Sequence, residues 1–274
     1  MAALELTPDL FARLDRAEAR MVQMKEEAFA GQATYVRSFG NAVACINKDS
    51  KSTLFNRAVG VGAEEADRIV AIVAWYAECD VPARIDVCPA RQSPELSARL
   101  RECGLENCGL PFWSHRLMAG RPETVEERDS GTAVRPVDFA ELELFATIGN
   151  RVWPTSLEHH LAYARATHDL PGLRRYFAWV DGEAVAIASL HIVERVGIFQ
   201  IAGTLEEHRG KGCQTALLRR RAADAVEAGC DLVTSLVAPD SGSQRNIQRA
   251  GLEIACDREM WLPSDWMEHP FYKE

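Results

Sequence analysis

The chain has 274 residues, a formal net charge of −9 and 47% hydrophobic residues. That apolar fraction is enough for packed cores and argues against global disorder. The acidic balance disfavours nucleic acid as a partner, and no apolar run approaches the length of a membrane span.

Taken in chain order, Met1 to Met24 reads as an amphipathic helix capped at Thr7-Pro8-Asp9, not as a signal peptide. Ala83 to Pro89 reads as a short strand, and Leu100-Arg101-Glu102-Cys103-Gly104-Leu105-Glu106 as a helix end followed by a strand start. A polar, charged stretch with Pro and Gly, residues 121–132, predicts a linker between a domain at 1–120 and one at 133–274. Tyr176 to Val180, Asp181-Gly182 and Glu183 to His191 predict a hairpin with a D-G turn. Val196 to Leu205 is the next strand. A helix from Cys213 to Glu227 ends at Ala228-Gly229. Cys230 to Pro239 is a strand rich in β-branched residues, Gln244 to Ala250 a helix, and Glu259 to Leu262 a final strand. The eight cysteines include no C-x-x-C pair, which predicts reduced, mostly buried thiols in a cytoplasmic protein and no metal site.

Between strand and helix stands His208-Arg209-Gly210-Lys211-Gly212-Cys213-Gln214-Thr215. Two glycines let several backbone N–H groups converge, and the helix N-terminus adds partial positive charge. Arg209 and Lys211 add full charges, so the ligand that fits is a phosphate or diphosphate. The dinucleotide fingerprint lacks its third glycine here, and the Walker pattern is absent. The turn resembles the R-x-x-G-x-G/A diphosphate loop of the GNAT acyltransferases, with Arg209 and Gly212 matching and Gln214 where the last Gly or Ala usually sits. Ser243 to Leu252 is similar to that family's S-x-x-N-x-x-x-x-G-F signature. The resemblance runs from about residue 133 to 266 in element order.

The resemblance implies an α/β (α+β) fold of two GNAT-like domains, each a central mixed, mostly antiparallel sheet flanked by helices. It implies acetyl-CoA as cosubstrate, held by Arg209, Gly210, Lys211, Gly212, Cys213, Gln214 and Thr215 at the diphosphate. The backbone of Ala202, Gly203, Thr204 and Leu205 would hold the pantetheine arm, with Asn246 beside it. The implied activity is acetyl transfer to an amine of a small molecule or peptide, by direct attack in a ternary complex. A non-catalytic acyl-CoA sensor and an enzyme for longer acyl-CoA are the alternatives. The family's tyrosine acid position is occupied by Ile247, so Ser243 or a water is the candidate acid. His191 is a candidate base because imidazole titrates near neutrality, and Gln200 could order a water. Asn150 to His160 and the helix through His168 would line the acceptor site, with Trp153 as an apolar wall. Arg219-Arg220-Arg221 reads as a solvated helix face, or alternatively as a contact for the 3′-phosphate of CoA. Nucleic acid and membrane are not expected partners, and oligomerisation is left open.

The chain also repeats itself at an offset of about 150 residues. Cys79-Asp80 corresponds to Cys230-Asp231, the strand ending at Pro89 to that ending at Pro239, and Gly104-Leu105-Glu106 to Gly251-Leu252-Glu253. Gly60 to Cys79 spans 19 residues where Gly203 to Cys230 spans 27, and acidic Val61-Gly62-Ala63-Glu64-Glu65-Ala66-Asp67 replaces the basic turn. Acidic side chains repel a diphosphate, so the first domain is predicted to keep the fold without a CoA loop.

Overall fold

The computed structural model describes residues 4–29, 34–49, 55–108, 115–124, 131–154 and 156–270. The chain forms two units, one running to Arg116 and resuming at Ala255, the other spanning Leu117–Ile254.

In the first unit, Thr7 Oγ1 accepts from the Leu10 amide at 3.2 Å and starts α1 (Pro8–Phe29). A hairpin follows, β1 (Thr34–Phe39) and β2 (Ala42–Asn47), then β3 (Arg57–Val61). A 3-10 turn at Ala63–Arg68 leads into α2 (Ile69–Glu78) and β4 (Ile85–Val87). Ser93 caps α3 (Pro94–Glu102), which precedes β5 (Leu105–Asn107). The six-stranded sheet has the order β1-β2-β3-β4-β13-β5, with β13 at Glu259–Pro263. Only β3 and β4 run parallel among its described pairings. Ile69, Ile72 and Tyr76 of α2 pack with Ile85, Leu96 and Trp261 in its core.

The second unit contains β6 (Arg116–Gly120), β7 (Ala133–Pro136), α4 (Leu142–Val152) and α5 (Leu157–Ala166). Next come β8 (Leu173–Val180), β9 (Glu183–Val193) and β10 (Val196–Thr204). They are followed by α6 (Cys213–Glu227), β11 (Leu232–Val237), α7 (Gly242–Arg249) and β12 (Glu253–Asp257). Asp181 and Gly182 join β8 to β9 with positive φ at both positions, as a tight hairpin requires. The seven-stranded sheet has the order β12-β6-β11-β10-β9-β8-β7. Side chains alternate along β8, so Tyr176 and Ala178 pack with Leu217, Leu218 and Ala222 of α6. Phe177, between them, packs with Phe145 and Ile148 of α4.

The two sheets confirm mixed α/β architecture in both halves, and they correct the expected partition. The final strand of each half sits in the other half's sheet. β6 follows the first half's repeat but lies between β12 and β11, while β13 follows the second half's but lies between β4 and β5. A boundary at 121–132 therefore assigns both strands to the wrong sheet. Alternation identifies a strand and its buried face; it carries no information on which sheet edge receives it. No described helix is long and apolar enough to cross a membrane. All eight cysteines are free.

Candidate functional site

The second unit's sheet opens at its centre. β10 and β11 pair in parallel at Val196, Gly197 and Ile198, and the register ends there. At the next residue a side chain replaces the ladder, as Ser235 Oγ donates to the Phe199 carbonyl at 3.1 Å. Two residues on, β10 carries a bulge against β9 between Gln200 and Ala202. Ile201 within it has φ +29°, a conformation costly for a β-branched side chain, on the order of 1–3 kcal/mol.

The bulge is held from below by Arg221, whose side chain is 2% exposed. Its guanidinium donates to the carbonyls of Ser189 and Gln200 at 3.4 Å each, and to Leu217 O at 3.2 Å. The Phe199 ring lies 4.7 Å from it. Burial without an anionic partner pulls its pKa down to about 10. The arginine run is thus not one solvated face: Arg219 and Arg220 are half-buried, and Arg221 belongs to the core beneath the strand.

Beyond the bulge, alternate amides of β10 face opposite edges. The Leu205 amide donates to Val185 O at 2.9 Å, so it and, by alternation, that of Gly203 are engaged with β9. The amides of Ala202 and Thr204 point to the open edge. Leu205 is therefore corrected from a pantetheine contact to a sheet residue. Gly203 has a different role. A Cβ there would lie 2.6 Å from Val152 Cγ1 and 2.8 Å from Trp153 Cη2, so only glycine lets the end of α4 close on the strand. That contact sets half-exposed Trp153 beside the open strand.

The basic turn follows as expected. Gly210 and Gly212 both adopt φ +81°, and α6 starts at Cys213 without a side-chain cap. The first helical turn therefore keeps unsatisfied amides at its end, with the helix dipole behind them. A Cβ at Gly210 would meet nothing within 4 Å among the described residues, while Thr132 Oγ1 donates to Lys211 O at 3.0 Å on the neighbouring residue. Arg209, Lys211 and Thr215 are exposed. Cys213 is buried, and burial raises its thiol pKa despite the helix N-terminus, which makes it a packing residue. Gln214 Nε2 donates to Thr204 Oγ1 at 3.1 Å, tying the turn to the end of β10.

The remaining candidates separate. His191 is 0% exposed, pairs opposite Ile198 before the bulge, and places Nε2 3.1 Å from Pro171 O. An imidazole enclosed in this way is a structural residue and cannot collect a proton from a bound amine, which corrects its candidacy as base. Gln200 lies half-buried at the bulge. Ser243 is exposed in the first turn of α7, whose cap is Ser241, accepting from the Gln244 amide at 3.1 Å. Asn246, half-buried, accepts from Arg249 at 2.7 Å. Ile247 packs in the sheet's core, so an acidic phenol at that position is replaced by apolar packing. Ser235 carried no signal in the sequence, and Arg221 was legible only as one of a run of three, since nothing there separates a buried arginine from its neighbours. No group of three or more His, Cys, Asp or Glu among the described residues could hold a metal ion.

Residues 140–252 match the Acetyltransferase (GNAT) family, so the second unit carries a GNAT-family domain. Among curated proteins none matches the chain. Among solved structures, the chain is similar to a GCN5-related N-acetyltransferase from Kribbella flavida. The two are 22% identical over 90% of this chain and 95% of that one, with a TM-score of 0.61. It is also similar to a tandem GNAT protein from the clavulanic acid biosynthesis pathway. That likeness has 17% identity over 93% and 94% of the two chains and a TM-score of 0.60. At these identities the likeness is one of fold, and it extends over both sheets. Acyl transfer is the chemistry of the family to which the matched domain belongs.

Proposed function

We propose that the second unit transfers an acetyl group from acetyl-CoA to an amine of a small molecule or peptide. The observation that carries this reading is the coincidence of three features on one strand–turn–helix. The ladder between β10 and β11 ends at Ile198, the strand bulges at Ile201, and an uncapped helix N-terminus follows a basic turn. The residues suit the cosubstrate. Amides of the Gly210–Thr215 turn would hold the diphosphate, with Arg209 and Lys211 adding charge. The amides of Ala202 and Thr204 would take the pantetheine arm as a missing strand takes its ladder, and Asn246 would flank it.

Acetyl-CoA supplies an activated acyl group with a thiol leaving group. The amine nitrogen would bond to the thioester carbon as the C–S bond breaks. An amide at the bulge would stabilise the charge that develops on the carbonyl oxygen. Arg221 would keep that amide aimed. The amine's proton would leave through a water ordered by Gln200, and Ser243 or solvent would protonate the thiolate. Trp153 would form an apolar wall of the acceptor site. We assign the first unit the role of a GNAT-like domain without a CoA loop.

A non-catalytic acyl-CoA module is the second reading, favoured by Ile247 in the core and by the enclosure of His191. Thiol release from acetyl-CoA, measured across a panel of amines, decides between them. Acceptor-dependent release supports transfer. Tight CoA binding with no acceptor-dependent release supports the module, and no CoA binding overturns both.

A further inference from the structure

The second unit contains another cavity, away from the basic turn, at the edge where β7 stops short of the start of β8. It has a volume of about 380 Å³, and its lining includes Arg174, Arg175, Arg220, His168, Tyr176 and Asp224. The β7–β8 pairing reaches only Pro136 opposite Tyr176, with one further bond from the Val137 amide to Arg175 O at 3.0 Å. The first residues of β8 therefore have no strand beyond them on that side, and the cavity lies there.

Its charge is unbalanced. Its lining carries three arginines and one carboxylate, but alternation along β8 puts Arg174, Arg220 and Asp224 on the α6 face of the sheet and the Arg175 side chain on the α4 face. Asp224 is already committed, accepting from Tyr176 Oη at 2.7 Å and Arg220 Nε at 2.8 Å, with Arg174 at 3.4 Å. Arg175 is 8% exposed and has no carboxylate partner among the described residues. Its guanidinium donates to Thr167 Oγ1 at 2.5 Å and lies 5.7 Å from the Phe145 ring. Burial draws its pKa down to about 10, the behaviour of a cation taken from water without a counter-charge. His168 adds a second unmet demand, since its Nδ1 is buried with no hydrogen-bond partner among the described residues. The same ring packs edge-on against Phe139 at 5.3 Å.

A buried guanidinium without an anion is strongly unfavourable, whereas the same group with a bidentate oxyanion is well satisfied. We propose that this cavity is a binding site for a small oxyanion, a phosphate or a carboxylate, with Arg175 as its central contact. Arg174 and Arg220, on the opposite face of β8, would supply long-range attraction, and His168 Nδ1 a further donor in the tautomer that carries its hydrogen there. The site uses neither the basic turn nor the open strand; Arg220, in the run read alternatively as a 3′-phosphate contact, is bound here to Asp224.

The test measures thermal unfolding of the full chain against inorganic phosphate and, separately, succinate, with sodium chloride at matched ionic strength as reference. A saturable rise in melting temperature at millimolar phosphate or succinate, absent with chloride, is expected. The two arms distinguish a phosphate site from a carboxylate site. Phosphate could also occupy the basic turn, so the response must persist in Thr215→Glu and be lost in Arg175→Met. Arg175→Met should in addition be at least as stable as the parent without added anion, because it removes an uncompensated charge. If Arg175→Met does not fold, Arg174→Gln, at a partly exposed position, should weaken the apparent affinity several-fold. No saturable response to either anion, loss of the response in Thr215→Glu, or an unchanged response in the Arg175→Met and Arg174→Gln variants would overturn the proposal.

Discussion

The same strand–turn–helix occurs twice in this chain and has been put to opposite uses. In the second unit the parallel pair β10–β11 separates after Ile198, and the turn that follows is basic. In the first unit the parallel pair β3–β4 also shifts register, between Ala58 and Val61, but the pairing resumes and reaches Val61 opposite Val87. The amide of Gly62, which starts the turn, donates to Glu65 Oε2 at 3.0 Å. Arg91 covers that glycine so closely that a Cβ on Gly62 would fall 2.4 Å from its guanidinium. Arg91 pairs in turn with Asp15 at 2.9 Å and Glu64 at 3.0 Å. A carboxylate supplied by the chain thus takes the place that a diphosphate would need, and no gap remains for a pantetheine arm. On the proposed reading, a ligand site here is a strand separation together with unsatisfied amides, and the first unit's turn fills those amides from within.

The largest expected effect breaks the filled turn. Arg91→Ala removes one partner from a buried network and leaves Asp15 and Glu65 short of counter-charge. Chemical denaturation should show a loss of about 3–5 kcal/mol. Equilibrium binding of CoA to the folded variant should be unchanged, since the ligand turn is elsewhere; weaker CoA binding would contradict the assignment of the two turns.

The basic turn is broken by charge instead of by packing. Thr215→Glu places a carboxylate in the first turn of α6, where the helix tolerates it but a diphosphate does not. Isothermal titration should give CoA affinity at least about tenfold weaker, about 1.4 kcal/mol or more, with an unchanged melting temperature. Unchanged affinity would place the CoA site elsewhere.

A smaller effect separates aim from affinity. Arg221 touches the bulge and no proposed ligand group, which makes it a positioning residue. Arg221→Met should lower kcat about tenfold with KM within about twofold, and Arg221→Lys should recover part of that loss. A change confined to KM would mean that the bulge serves binding only.

Much of this was legible in the sequence. Cys213–Glu227 begins and ends where its glycine turn and C-cap place it, and the repeat correctly aligned Gly104-Leu105 with Gly251-Leu252. Local signals of that kind are written within a few residues. The exchange of β6 and β13 is not local, because both strands present the same alternation to either sheet. The fate of individual polar residues was also hidden. His191 and Gln200 both lie on strands next to the turn, yet one is sealed and the other half-buried, a difference set by what packs on them from remote segments. Arg221 differs from Arg220 only by a 100° rotation about α6.

The smallest effect sharpens the comparison through pH. Asp86 is buried between Arg84 and Arg57, which hold its pKa down to about 2 against burial. Glu18 is lowered in the same way by Arg258 and Arg57. A carboxylate with a depressed folded pKa contributes stability above its unfolded value, and that stability is lost as pH falls through the folded value. The first unit should therefore weaken between about pH 4 and pH 2. Asp15 acts in the opposite direction. Burial outweighs the attraction of Arg258 and Arg91 and raises its pKa, so its protonation adds stability as pH falls toward about 4, before the loss begins. Hydrogen exchange resolved by unit should show the first sheet opening earlier than the second as acid is added. Asp86→Asn should flatten the slope below about pH 4, and Asp15→Asn should remove the gain above it. Equal slopes in all three proteins would mean that the ionic cluster does not set the first unit's acid stability.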